Sequence, residues 1–276
     1  MTSPRRDRMA ADEGAVREAA ILRLVRTANE SPGIVYRYAS VGLWPSEEIL
    51  VLDFFPDDAK VLDLGCGAGR TSVALAEIGL PTFGIDISEL MIDVAREQAL
   101  QSGVGEQTEF AVMDARRLEA VPSESFDAAL YSYNGLELVP GFAGKRRVLA
   151  EVHRVLRPGG RFVLCTHSLF AVNRYATTRL LAFARFLLGK CGLPVREREL
   201  GERFIDDELE EARYLQILPP FVLRRLLRQA GFRVIYCNTR TRIETRRPPS
   251  RWSVFADSEW FFVAEKTGAA QDPADT

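Results

Sequence analysis

Three glycines, Gly65, Gly67 and Gly69, stand at alternate positions in the stretch VLDLGCGAGR, residues 61–70. Glycine tolerates positive φ and removes the Cβ that would keep a ligand away from the backbone. A loop of this kind, opening onto a helix whose first N–H groups are unpaired, can receive a polar or anionic ligand. The dinucleotide fingerprint G-x-G-x-x-G fails at Arg70, where glycine or alanine is required, and no lysine follows to make a phosphate loop. Carboxylates recur nearby: Asp63 just before the loop, Asp86 in GIDIS and Asp114 in VMDA. Further on, His167 in CTHS offers an imidazole that titrates near neutrality and can act as a general base. Tyr133 and Asn134, in YSYNGLELV, are placed to orient a substrate.

These residues gain meaning from the elements that carry them. Residues 60–64, PTFGID, TEFAVMD, FDAALYS and RFVLCTH read as five strands. Between them lie a helix through Glu77, the helix ELMIDVAREQALQ capped by Ser88, and AGKRRVLAEVHRVLR with an apolar face of Val148, Leu149, Val152, Val155 and Leu156. Such alternation implies a parallel sheet covered on both faces. Ligands in these sheets bind beyond the carboxyl ends of the strands, which is where the glycine loop, Asp86, Asp114, Tyr131 and His167 all fall.

The loop VLDLGCGAGR resembles the first motif of the class I S-adenosylmethionine-dependent methyltransferases. GIDIS, VMDA, FDAALYSYNG and EVHRVLRPGGRFVL resemble the motifs that follow in that family, in the same order. The resemblance is close over residues 60–166 and looser beyond. It implies an α/β fold, a doubly wound, seven-stranded, mainly parallel Rossmann-like sheet. It also implies S-adenosylmethionine as cofactor and S-adenosylhomocysteine as product, with no metal. Asp86 would accept the ribose hydroxyls, and Asp114 with the Ala115 backbone would recognise the adenine amino group between Ile87 and Met91. Asp63 would stand near the ammonium of the methionine moiety, held with the backbone of Gly65, Cys66, Gly67 and Gly69. Tyr131 would lie near the sulfonium, and Tyr36, with Tyr38, would close over the cofactor. Methyl transfer is an in-line displacement that depends on near-attack positioning. His167 as base and Tyr133 as orienting group are the catalytic candidates.

The 276 residues carry a formal net charge of −2, which gives no global pull toward nucleic acid or membrane. Cys66, Cys165, Cys191 and Cys237 form no C-x-x-C pair, and with only His153 and His167 besides there is little to build a zinc site. The N-terminus lacks the apolar segment of a secretion signal and no run reaches a membrane span, so a cytoplasmic location is expected.

The domain reading is residues 1–9 and 267–276 disordered around a single domain over 10–266. Within it lie an N-terminal helical cap over 10–59, the cofactor-binding core over 60–167, a helical cap insertion over 168–213, and a last helix and hairpin over 214–266. SPGIVYRYASVGLW reads as an aromatic turn, and His153 as a solvated surface residue. RLLAFARFLLGKCGLP has an apolar stripe suited to a lipid surface or a lipophilic substrate, though packing onto its own domain is the commoner role of such a stripe. The acidic run after it reads as a solvated face. Arg240, Arg242, Arg246, Arg247 and Arg251 make a basic loop near the cofactor face, suited to an anionic substrate or, as an alternative, to tRNA. LPPF departs from the [DN]-P-P-[FYW] motif of base-modifying amino-methyltransferases at Leu218. The expected activity is methylation of oxygen or nitrogen on a small molecule. A tRNA-modifying enzyme and a non-catalytic S-adenosylmethionine-binding protein are the alternatives.

Overall fold

A computed structural model describes residues 4–205, 214–250, 252–256 and 259–267, although the side chains of 4–12, Pro32, Arg37, Tyr38, Ser40 and Ala256 lie outside that description. Three helices come first: α1 (Pro4–Asn29), α2 (Pro32–Ser40) and α3 (Pro45–Phe54). The alternating core then runs β1 (Val61–Leu64), α4 (Arg70–Glu77), β2 (Thr82–Asp86), α5 (Glu89–Gln101), β3 (Thr108–Val112) and β4 (Phe126–Tyr131). It continues with α6 (Gly135–Leu138), α7 (Gly141–Val155) and β5 (Leu156–His167). Beyond it are α8 (Ala176–Lys190), β6 (Glu202–Phe204), β7 (Tyr214–Gln216), α9 (Pro220–Gln229), β8 (Phe232–Thr239), α10 (Arg240–Glu244), α11 (Ser253–Ala256) and β9 (Glu259–Lys266).

The seven-stranded sheet has the order β3-β2-β1-β4-β5-β9-β8. β1 to β5 pair in parallel, and β9 runs antiparallel between β5 and β8. Because successive side chains on a strand point to opposite faces, each central strand feeds two cores. Leu62 and Leu64 of β1 join Ala129 and Tyr131 of β4 in one core, which also holds Val148 and Val152 of α7 and Leu223 and Leu227 of α9. Val61, Ala128 and Leu130 join the other, with Leu50 and Val51 of α3 and Leu75 of α4. Strands buried on both faces explain why VLDL carries almost no polar alternation. The chain reverses from β1 to β4 across the sheet, so the switch point lies between the loops after β1 and β4.

Several expectations are corrected. α1 already includes residues 4–9, because Pro4 suits a first helical turn and the alanines, arginines and acidic residues after it favour a helix. Residues 1–3 and 268–276 lie outside the described residues. The stretch read as an aromatic turn is α2, whose Pro32 sits in its first turn rather than breaking it. His153 is half-buried, its ring edge-on to Phe232 and its Nε2 3.3 Å from the Thr267 carbonyl oxygen. The connection after β5 also contains the β6–β7 hairpin, which the sequence reading missed. Of the acidic run over 196–213, residues 206–213 lie outside the described residues, but the described part is not a solvated face: Glu197 is buried, and Glu199 accepts from the Phe142 N–H at 2.7 Å. The apolar stripe of α8 does not pack onto the domain. Arg179 and Ala182 are its buried residues, while Leu180, Leu181, Leu187 and Leu188 face outward. Among the described residues no helix is long and apolar enough to cross a membrane.

Candidate active site

The loop after β1 turns sharply, with Gly65, Gly67 and Gly69 all at positive φ (63°, 53° and 87°). These are conformations that a side chain disfavours, and at Gly69 a Cβ would also meet Ala95 of α5 at 3.1 Å. The loop closes onto the end of β2. The Gly67 N–H donates to Asp86 Oδ2 at 3.1 Å, and the Ser88 N–H donates to Asp86 Oδ1 at 2.9 Å. Ser88 in turn caps α5, its hydroxyl accepting from the Met91 N–H at 3.3 Å. Asp86 therefore orders both the glycine loop and the start of α5. Burial pushes its carboxyl above the usual range, against the pull of the backbone N–H groups of Ser88, Gly67 and Ile87.

A cleft opens at this point, on the carboxyl ends of the parallel strands. Gly65, Cys66 and Gly67 form one wall, Asp86, Ile87, Met91, Asp114 and Ala115 another, and Tyr131 and Tyr133 a third. Leu22, Val25 and Asn29 of α1 cover it. Asp114 is gripped by its neighbour Arg116, whose Nε lies 2.9 Å and 3.0 Å from its two carboxylate oxygens. Burial alone would raise the Asp114 carboxyl, but the hydrogen bonds and charge of Arg116 hold it below the ordinary range. Arg116 also pairs with Glu18, which ties α1 to the rim. Burial, with Asp86 and Asp114 nearby, pushes the Tyr131 phenol up, so this ring stays neutral.

Not every expected residue reaches the cleft. Asp63 is fully buried, one side chain behind the wall: it accepts from Thr71, which does line the cleft, and from the Ser72 hydroxyl at 2.6 Å. Among the described residues its Oδ1 has no hydrogen-bond partner, and burial pushes its carboxyl up to about 6. Gly69 shapes the turn without lining the cleft, and Tyr36 is 76% exposed on α2. The Tyr38 side chain lies outside the described residues. His167 stands apart from the cleft lining. Its Nδ1 lies 2.8 Å from Glu137 Oε2, and the Asn134 Nδ2 lies 3.4 Å from its Nε2.

Glu137, on α6, is the principal residue that sequence reasoning missed. It is 2% exposed and accepts from the His167 N–H and the Thr166 hydroxyl as well as facing the imidazole. Burial disfavours its charge, but His167 and these hydrogen bonds outweigh that and keep the carboxyl low. Burial likewise opposes a charged His167, and Glu137 overcomes it, raising the imidazole above 6.5. The available signal was a glutamate inside the otherwise apolar GLELV, where an unpaired charge is costly. Tyr133 precedes α6 at φ 48°, a left-handed conformation uncommon for an aromatic residue, so the turn after β4 carries strain at the cleft edge, while Asn134 at φ 60° adopts one that asparagine takes readily.

Arg70, where the dinucleotide fingerprint failed, is buried beside the cleft. It bonds both oxygens of Glu47 at 2.9 Å and 3.0 Å and the Gly42 carbonyl oxygen at 2.6 Å. Removing one partner of such a buried pair strands the other charge, a loss of about 3–5 kcal/mol. The basic segment is largely internally satisfied. Arg240 pairs with Glu244 and stacks on Trp44 at 4.1 Å, and Arg246 pairs with Asp53. Arg251 lies outside the described residues. Among the described residues no group of three or more histidine, cysteine or acidic side chains could hold a metal ion.

The comparisons with known proteins agree with this geometry. Residues 61–160 match the family described as methyltransferase domain. An S-adenosyl-L-methionine-dependent Diels-Alderase of Talaromyces variabilis is 32% identical over 165 residues, covering 59% of this chain and 55% of that protein. A ubiquinone biosynthesis O-methyltransferase of Xanthomonas axonopodis pv. citri is 37% identical over 111 residues, covering 40% of this chain and 44% of that one. The chain thus spans about half the length of these curated relatives. A SAM-dependent methyltransferase from Methanosarcina mazei superposes with a TM-score of 0.64 at 24% identity, covering 82% of this chain and 99% of that one, which shows the shared fold. Residues 61–160 thus match a methyltransferase domain, and this core resembles the class I S-adenosylmethionine-dependent methyltransferases.

Proposed function

We propose that the protein transfers a methyl group from S-adenosylmethionine to an oxygen or nitrogen of a small molecule. The observation that carries the reading is the cleft itself. Glycines without side chains face two strand-end carboxylates, Asp86 and Asp114, across a cleft at the carboxyl ends of the strands. The residues present fit the cofactor. Asp86 would take the ribose hydroxyls, Asp114 and Ala115 the adenine edge, and Ile87 and Met91 its faces. Gly65 and Gly67 would lie along the methionine moiety, with Asp63 acting through Thr71 rather than by direct contact. When bound, S-adenosylmethionine supplies an electrophilic methyl group on a sulfonium. Tyr131 and Tyr133 would wall off water on the acceptor side.

His167 is the candidate base for a hydroxyl acceptor. In the neutral ring, the Nδ1 proton faces Glu137 and fixes the tautomer, so Nε2, now approached by the Asn134 amide at 3.4 Å, would exchange that partner for the acceptor's hydroxyl and receive its proton. An amine acceptor would need no such base. The tRNA reading is weakened because Arg240 and Arg246 already have carboxylate partners within the chain. The Diels-Alderase relative favours one second reading, in which the bound cofactor shapes a pocket for a cyclisation and no methyl group moves.

The test is incubation with methyl-labelled S-adenosylmethionine and a panel of phenols, quinols, amines and tRNA. Label entering a phenol or quinol in a His167-dependent manner supports oxygen transfer. Label entering an amine with His167→Ala supports nitrogen transfer. Label in tRNA, or conversion of an unsaturated acceptor with no label moved, overturns the proposal.

A further inference from the structure

We propose that α8 is a docking surface for an anionic lipid bilayer. The helix is turned inside out relative to ordinary amphipathic packing. Its buried positions are Arg179 and Ala182, whereas Leu180 is 68% exposed, Leu181 59%, and Leu187 and Leu188 nearly half. At 3.6 residues per turn, Leu180, Leu181, Ala184, Leu187 and Leu188 form one continuous outer stripe. Arg185 falls on one flank of that stripe, Lys190 stands at the C-terminal end of the helix, and Arg174 lies just before its start. Arg179 donates to the Ala171 carbonyl oxygen, and the Val172 N–H donates to the Phe255 carbonyl oxygen at 2.9 Å. Exposed Phe170, Val172 and Phe255 therefore extend the apolar surface from the start of the helix. Among the described residues no segment covers it, and a monomer seldom leaves so contiguous an apolar patch without use.

Charge decides the occupant. Residues 168–190 contain Arg174, Arg179, Arg185 and Lys190 and no Asp or Glu, in a chain whose overall charge is −2. Arg174 and Lys190 have no carboxylate partner among the described residues, and Arg185 reaches Glu197 only at 3.6 Å while 59% exposed. Pairing this face with the same face of a second copy would set cations against cations. A negatively charged lipid surface instead accepts leucines below the headgroups and the flanking cations at phosphate level. α8 leaves the carboxyl end of β5, the end of the sheet where the cleft opens, so docking there would bring the cleft to the bilayer surface. This inference uses no step of the methyl-transfer reading, and either can fail without the other.

The experiment is co-sedimentation of the full chain with vesicles of phosphatidylcholine, with and without phosphatidylglycerol, at low and high salt. A Leu181→Ser/Leu188→Ser variant serves as control, its melting temperature reporting the fold; both side chains are exposed, so it should melt with the wild type. The proposal expects binding to the phosphatidylglycerol vesicles, roughly tenfold or more weaker without the anionic lipid, and reduced by salt. It expects the double variant to remain in the supernatant. Failure of the wild type to sediment, equal binding to both vesicle types, or undiminished binding of the variant would each overturn it. So would a lipid-free dimer by light scattering that the double variant converts to monomer, which would assign the face to a second copy.

Discussion

The Gly67 N–H and Asp86 Oδ2 meet at 3.1 Å, joining the loop after β1 to the end of β2. One carboxylate thereby holds the glycine turn at the floor of the cleft and, through the Ser88 N–H, the start of α5 beside it. The glycines and the aspartate act as one unit, with the backbone brought close and the acceptor set at its edge.

Asp63 makes stability depend on pH in an unusual direction. Its carboxyl is pushed up to about 6 by burial, against an ordinary value of 3.8, so the folded state holds its proton more tightly than the unfolded chain. The associated stability is present below pH 3.8 and is lost as pH rises through about 6, in total about 3 kcal/mol. Asp63→Asn, which cannot titrate, should therefore gain on the wild type between these limits in urea unfolding. A constant difference across that range would contradict the assignment.

Gly135 has no room for a side chain. A Cβ there would stand 2.2 Å from Cε2 of Tyr131. Gly135→Ala should cost about 1–3 kcal/mol in unfolding free energy and weaken cofactor binding by displacing the ring. Wild-type stability and affinity in this variant would show that the α6 turn is not packed as described.

The Glu137–His167 pair sets the expected pH profile of methyl transfer. Burial opposes a charged imidazole, but Glu137 raises its pKa above 6.5, and only the neutral ring can take a proton. The rate should rise with pH through that raised value. Glu137→Gln should move the acid limb to lower pH, and His167→Ala should slow transfer to a hydroxyl about 100-fold or more. An acid limb unmoved by Glu137→Gln would remove His167 from the reaction.

The parts of this architecture carried by neighbouring residues were legible in the sequence. The Gly65–Gly69 turn, the Ser88 cap and Asp86 at a strand end are local signals, and the buried strands announce themselves by unbroken apolar runs. What escaped was set by tertiary contact. Glu137 meets His167 across 30 positions, and nothing near either residue specifies the other. Asp63 sits in the expected motif, yet Thr71 stands between it and the cleft. The periodicity of α8 revealed an apolar stripe but not which way it faces, because that depends on what packs beneath Arg179 and Ala182. SPGIVYRYASVGLW reads locally as an aromatic turn, although Pro32 suits the first turn of α2.

The most direct measurement is calorimetric titration of S-adenosylmethionine and S-adenosylhomocysteine into the wild type and Asp86→Asn, with NAD as comparison. The account predicts that both sulfur ligands bind the wild type and NAD does not. It predicts a loss of about tenfold or more in the variant, the scale of one charge-assisted hydrogen bond. Absence of binding, preference for NAD, or an Asp86→Asn affinity equal to the wild type would contradict it.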